Sequence, residues 1–211
     1  MGVVGTGVMG GHHTRVAAML PGCQLVGIYD ANQARATEVA DQFGAATFPS
    51  LDALCENVDA VIVASPTVTH AEVGAHCLQA GCHVLLEKPI AATVAEGEKL
   101  YAISQQSDRL LMIGHLERFN PAVTAVLSLI SHDELFALEL QRLSPTPGRD
   151  RSADIIFDLM IHDLDLLLAF TGSPIIAISA MGHYVRSDFI DHVTALLRSD
   201  KGVTATLTAS A

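Results

Sequence analysis

In the first half of the chain, short apolar runs alternate with stretches of helical period. "VVGTGVMGG" opens as an apolar strand that runs into glycines, and helical spacing then continues through Leu20 until Pro21-Gly22 stops it. Further apolar runs at 24–30, 46–48, 59–65, 83–88 and 109–114 predict strands. Between them the pattern predicts a helix over 32–43, one started by Ser50, one from Thr69 to Ala80 and one opened by a Thr93–Glu96 capping box. Six strands with helical crossovers give an α/β fold for residues 1–116, a doubly wound parallel sheet of the Rossmann kind.

After Leu116 the period changes. "NPAVTAVLSLI" predicts a helix with Asn120 as N-cap and Pro121 at its first position. "ELFALELQRL" alternates, with Phe136, Leu138 and Leu140 on one face and Glu139 and Gln141 on the other, as a half-buried strand does. The loop "SPTPGRDRS" leads into an apolar helix, and strands follow at about 175–186, 189–198 and 203–210. Residues 117–211 therefore read as an α+β domain with helices on one face of a mostly antiparallel sheet. Two apolar residues are short for a central first strand, and the last strand reaches the final residue. The chain thus reads as cut at both ends, with the second domain incomplete.

Composition narrows the class. Half of the 211 residues are hydrophobic, enough for sizeable cores. Twelve Lys and Arg against 23 Asp and Glu leave a net charge of −11, which argues against nucleic acid and anionic membranes as partners while allowing a local phosphate pocket. The four cysteines show no C-x-x-C or zinc-like spacing and read as reduced core residues. No apolar run approaches the roughly 18 residues of a membrane span and no signal segment precedes the first strand, so a soluble, cytoplasmic protein is expected.

Chemistry enters at the strand ends. Gly5, Gly7 and Gly10 are spaced G-x-G-x-x-G between a strand and a helix, and Asp30 ends the next strand about 20 residues on, which completes a dinucleotide fingerprint. Gly5 allows the tight turn, Gly7 admits a pyrophosphate to the helix N-terminus, and Gly10 permits close helix packing. Asp30 would accept from ribose hydroxyls, and Ala31, Asn32 and Gln33 place no arginine beside it for a 2′-phosphate, so NAD is expected rather than NADP. "SPT" at 65–67 and "EKP" at 87–89 lie beyond the carboxyl ends of their strands, where ligands of such sheets bind. Lys88 stands out there as a lysine held at the end of an apolar strand by the proline that follows.

"FDLMIHDLDLLLAF" at 157–170 carries three aspartates and a histidine on a helix that is otherwise apolar nearly all round. At about 100° per residue, Asp158, His162 and Asp165 fall within roughly 60° of one another, while Asp163 points elsewhere. Such a stripe persists only where its groups are paired or face a polar cavity.

Together "GTGVMG", Asp30, "SPTVTH", "EKP" and "FDLMIHDLD" resemble the glucose-fructose oxidoreductase / inositol dehydrogenase (Gfo/Idh/MocA) family over the whole chain. The resemblance implies an NAD-dependent oxidoreductase acting on a sugar alcohol, with a C-terminal domain that supplies substrate contacts and an oligomer surface, hence a homo-oligomer through that sheet. It assigns catalysis to Lys88, His162 and Asp158. To the cofactor it assigns Gly5, Gly7, Val8, Met9, Gly10, Asp30, Ser65, Pro66, Thr67, His70, Glu87 and Lys88. His162 or Lys88 would take the hydroxyl proton, and Asp158 would orient the imidazole or bind a substrate hydroxyl. "GHLERFNPAV" is similar to the branch that oxidises the 3-hydroxyl of UDP-N-acetylglucosamine-type sugars. Arg149 and Arg151 would then meet a nucleotide diphosphate, or belong to a solvated loop. Arg118 and Asn120 would touch nicotinamide or sugar, or cap a helix. His12 and His13, near the glycine turn, read as ordinary helix residues, and no metal ligand set is present. An inositol, free-sugar or linear-tetrapyrrole substrate, or a non-catalytic NAD(H)-binding regulator or remnant, are the alternatives.

Overall fold

Val3 and Val4 are almost completely shielded from water, because the strand they form is covered on both faces. In the computed structural model, which describes residues 1–130, 135–144, 154–185 and 188–211, that strand, β1 (Gly2–Val4), lies at the centre of a six-stranded sheet. Helices and strands then alternate: α1 (Val8–Met19), β2 (Gly27–Tyr29), α2 (Gln33–Phe43), β3 (Ala46–Thr47), α3 (Leu51–Cys55), β4 (Ala60–Val63), α4 (Thr67–Gln79), β5 (His83–Leu86), α5 (Val94–Ser107) and β6 (Leu111–Ile113). The order is β3-β2-β1-β4-β5-β6, every neighbouring pair is parallel, and the doubly wound expectation holds.

Local chemistry sets the helix ends. Ser50 and Asn32 accept from the amides of Ala53 and Arg35, and Thr93 with Glu96 forms the reciprocal capping box. α4 begins at Thr67, two residues before the sequence pattern placed it, because Pro66 pre-sets the entry to the helix. The core between sheet and helices includes Val61, Val63, Leu86 and Leu100, and Cys55, Cys77 and Cys82 pack into it as small apolar residues.

The chain divides into two units, Met1–Gly114 and His115–Ala211, two residues before the boundary expected from sequence. The second begins with a 3₁₀ turn (Leu116–Phe119) and α6 (Pro121–Leu129), capped by Asn120. It continues with β7 (Ala137–Leu143), a π-helical turn (Ile156–Met160), α7 (Ile161–Thr171), β8 (Ile175–His183), β9 (His192–Ser199) and β10 (Thr204–Ser210). The sheet order is β7-β10-β9-β8. The β8–β9 and β9–β10 pairs are antiparallel, whereas β7 runs parallel to β10, so the sheet is mixed at that edge. Phe136 falls before β7 and is exposed, so it does not share the inward face of Leu138 and Leu140. Val193, Ala195 and Leu197 alternate inward against Leu167, Met160 and Leu207. β8 is exposed along nearly its whole length.

Candidate active site

The glycine turn is tight at two positions and open at the third. Gly5 has φ +88°, and a Cβ there would meet the Ala64 carbonyl oxygen at 2.6 Å and the Ser65 nitrogen at 2.7 Å, so the turn lies flat on the end of β4. At Gly10 a Cβ would meet the Gly5 oxygen at 1.9 Å, whereas at Gly7 it would meet nothing within 4 Å. Gly7 is the N-cap of α1 and supplies no side-chain cap, so the leading amides of the helix, around Val8 and Met9, are left for another acceptor. A turn closed at 5 and 10 and open at 7 fits a diphosphate approaching the start of α1.

Asp30, just past β2, is fixed beside this turn. Its Oδ2 accepts from the Thr6 amide (2.6 Å) and hydroxyl (2.7 Å), and its Oδ1 accepts from the Asn32 amide (2.8 Å). Burial opposes its charge, but these donors and the Arg35 guanidinium outweigh that effect and hold the carboxyl below its ordinary value. The carboxylate keeps acceptor capacity for a ribose hydroxyl. Arg35, whose Nε donates to the Thr6 oxygen at 2.7 Å, is a cation that residues 31–33 gave no sign of; α2 returns it to Asp30.

At the next strand ends, Ser65 accepts from the Thr69 hydroxyl at 2.7 Å, and Pro66 and Thr67 form the entry to α4. His70 is 1% exposed and directs both ring nitrogens at main-chain oxygens, Nδ1 at Pro89 (2.7 Å) and Nε2 at Ser65 (2.9 Å), so it ties the ends of β4 and β5 together. Glu87 is buried, with Oε1 2.6 Å from His13 Nε2 and Oε2 accepting the Lys88 amide at 3.1 Å. Burial again works against the charge, and His13, the Lys88 amide and the Lys88 charge outweigh it, so the Glu87 carboxyl is lowered. Lys88 itself is half-buried. His13 read as an ordinary helix residue in the sequence, because a G-x-G-x-x-G pattern ends at Gly10 and nothing in the linear chain links it to Glu87.

In the second unit the acid-rich segment is not one regular helix. Residues 156–160 form a π turn and only then does α7 begin, so an angle counted at 100° per residue does not carry from Asp158 to Asp165. Asp165 leaves the expected stripe: it is buried and binds Arg118 through two 2.7 Å contacts. Asp163, also buried, accepts from Arg142 Nη2 at 2.9 Å and Nε at 3.1 Å, and Arg142 Nη1 donates to Glu117 at 3.3 Å. The Asp165 carboxylate raises the Arg118 guanidinium. Burial opposes the charge of Arg142, yet Asp163 and Glu117 leave it raised. Asp158 and His162 are half-buried.

Glu117 is lowered against its burial by Asn120, by Arg142 and, more weakly, by His162, which puts this acid in the electrostatic neighbourhood of the imidazole. Asn120 caps α6 through the Ala122 amide at 3.0 Å and donates to Glu117 at 3.2 Å. Glu117 and Arg142 were not singled out from sequence, because one lay inside a motif read for its neighbours and the other in a strand read only for its alternation. Arg149 and Arg151 lie outside the described residues.

Residues 1–115 match the family described as "Oxidoreductase family, NAD-binding Rossmann fold" (GFO_IDH_MocA), and residues 138–211 match the "GFO/IDH/MocA C-terminal domain". A UDP-N-acetylglucosamine 3-dehydrogenase of Acidithiobacillus ferrooxidans is 39% identical over 99% of this chain and 66% of its own length. A solved structure of it superposes with a TM-score of 0.94, covering 68% of that chain. Inositol 2-dehydrogenase 1 of Saccharopolyspora erythraea is 39% identical over 58% of this chain and 38% of its own length. GenD2 from gentamicin A biosynthesis, solved in complex with NAD, is 25% identical over 99% of this chain and 64% of its own, with a TM-score of 0.90. The chain thus spans about two thirds of the first relative and less of the second.

Proposed function

The chain belongs to the GFO/IDH/MocA oxidoreductase family, and from that premise we propose that it moves a hydride between a secondary alcohol of a sugar or sugar nucleotide and NAD. The reading rests on one observation above the others. The glycine turn, Asp30, and Lys88 with its buried neighbour Glu87 all follow the carboxyl ends of β1, β2 and β5, at one end of the parallel sheet.

NAD, when bound, supplies the hydride acceptor. Gly7 and the leading amides of α1 would hold its diphosphate and Asp30 its adenosine ribose. The Lys88 ammonium stabilises alkoxide character on the substrate oxygen, and His162 or Lys88 takes the hydroxyl proton. Asp158 orients the imidazole or binds a neighbouring hydroxyl, and Arg118 serves the substrate only with the part of its guanidinium that Asp165 leaves exposed. A UDP-N-acetylglucosamine-type 3-hydroxyl is the favoured substrate, supported by the relative that matches along nearly the whole chain. An inositol is the second reading, supported by the relative of equal identity over a shorter stretch. A cytoplasmic homo-oligomer joined through the second sheet completes the proposal, supported by exposed Met181 and Leu196, which share one face of β8 and β9.

The test is NADH absorbance with a panel of UDP-sugars and polyols. Lys88→Ala and His162→Ala are each expected to lower turnover about 100-fold or more while NAD still binds, since proton-transfer groups contribute roughly 10²–10⁴-fold. Full turnover in both variants would remove the mechanism. NAD binding without turnover on any substrate would favour the regulatory alternative.

A further inference from the structure

The two residues that flank Lys88 are each tied to a different helix by a histidine. On one side, the buried Glu87 carboxylate meets His13 of α1 at 2.6 Å with its Oε1 and accepts the Lys88 amide with its Oε2. On the other, the Pro89 oxygen meets His70 of α4. Gly114 closes the remaining side, since a Cβ there would meet the Glu87 carboxylate oxygens at 3.3 Å.

Burying a carboxylate costs free energy that an apolar side chain at the same place would not. Core packing therefore does not account for a buried acid whose two oxygens are spent on α1 and on the amide of the next residue. We propose that His13 and Glu87 are positioning residues for Lys88, coupling the helix that receives the cofactor's diphosphate to the strand end that carries the lysine. The inference rests on the role given to Lys88 above, and it adds the means by which the backbone carrying that side chain is held. Through this pair, a shift of α1 reaches the Lys88 amide by two hydrogen bonds, with the buried carboxylate as the link. The Lys88 charge lies near enough to Glu87 to help hold that carboxyl in its charged form.

The experiment uses the whole chain with three variants, Glu87→Gln, which is nearly isosteric, His13→Ala, and His13→Gln, which keeps a donor. The first readout is independent of catalysis: trace acylation of lysines by acetic anhydride, with Lys88 quantified by peptide mass spectrometry against exposed Lys99 and Lys201. The expected result is a change of at least about threefold in the relative acylation of Lys88 in Glu87→Gln and His13→Ala, as the lysine changes position and exposure, with partial return in His13→Gln. The second is steady-state kinetics, where kcat is expected to fall about tenfold and KM to move less, as for a misplaced group.

Unchanged acylation and kcat in folded Glu87→Gln and His13→Ala overturn the proposal. Loss of folding in both overturns it too, because the pair would then be a stability element. If Lys88→Ala keeps full turnover, the assignment of Lys88 fails instead, and the acylation result still reports on the pair.

Discussion

Gly7 and Gly10 stand three residues apart, and the protein needs opposite things from them. Gly10 is fixed by what it touches, since any Cβ would be driven into the Gly5 oxygen, whereas Gly7 is fixed by what its surroundings leave open. Gly10→Ala is therefore expected to destabilise the fold by at least about 2 kcal/mol, which thermal unfolding would reveal. Gly7→Ala should lower the unfolding midpoint far less than Gly10→Ala, by no more than the loss of a glycine N-cap, and weaken NAD binding about tenfold by calorimetry, because its methyl group would occupy the diphosphate's approach. Asp30 and Glu87 both have folded-state values lowered from the ordinary carboxylate range. Their contribution to stability is thus fully present above the ordinary carboxylate range and is lost as pH falls through the lowered folded values. Glu87→Gln should flatten that acid limb in a circular-dichroism titration.

At the scale of elements, the segment from Ile156 to Thr171 explains how a greasy helix keeps its acids. Two of its three aspartates are neutralised by arginines that arrive from outside it, Arg118 from the 3₁₀ turn and Arg142 from β7. Arg142→Met strands a buried charge at Asp163 and is expected to lower stability by on the order of 3 kcal/mol; adding Asp163→Leu should restore most of it, as measured by denaturant unfolding. The sequence pattern placed the strands, the caps and the Lys88 turn well, because periodicity, capping chemistry and glycine spacing are local. It missed the π turn, since the same hydrophobic count suits α or π winding, and so it grouped Asp165 with Asp158 and His162. It also missed the His13–Glu87 and Arg35–Asp30 neighbours. In these the partners are brought together only by crossover connections, and no short-range pattern encodes them.

The whole molecule is built as two units with separate cores, one around Val63 and Leu86 and the other around Leu167 and Leu207. The glycine turn, Asp30, His13, Glu87 and Lys88 all belong to the first. A chain ending at Gly114 is expected to fold and to bind NAD within a few-fold of the whole chain's affinity; failure to bind would mean that the second unit supplies cofactor contacts. In the second unit β8 is an outer strand, and Ile178, which pairs with the buried Leu197 across the ladder, is itself 68% exposed, so the helical layer stops short of it. Among the described residues no strand pairs with the outer margin of β8, and a wet aliphatic ribbon with such a margin is a template for adding further strands. A preparation of this chain should therefore thicken or precipitate as it is concentrated, and a single lysine in place of Ile178 should keep it clear without disturbing how either unit folds.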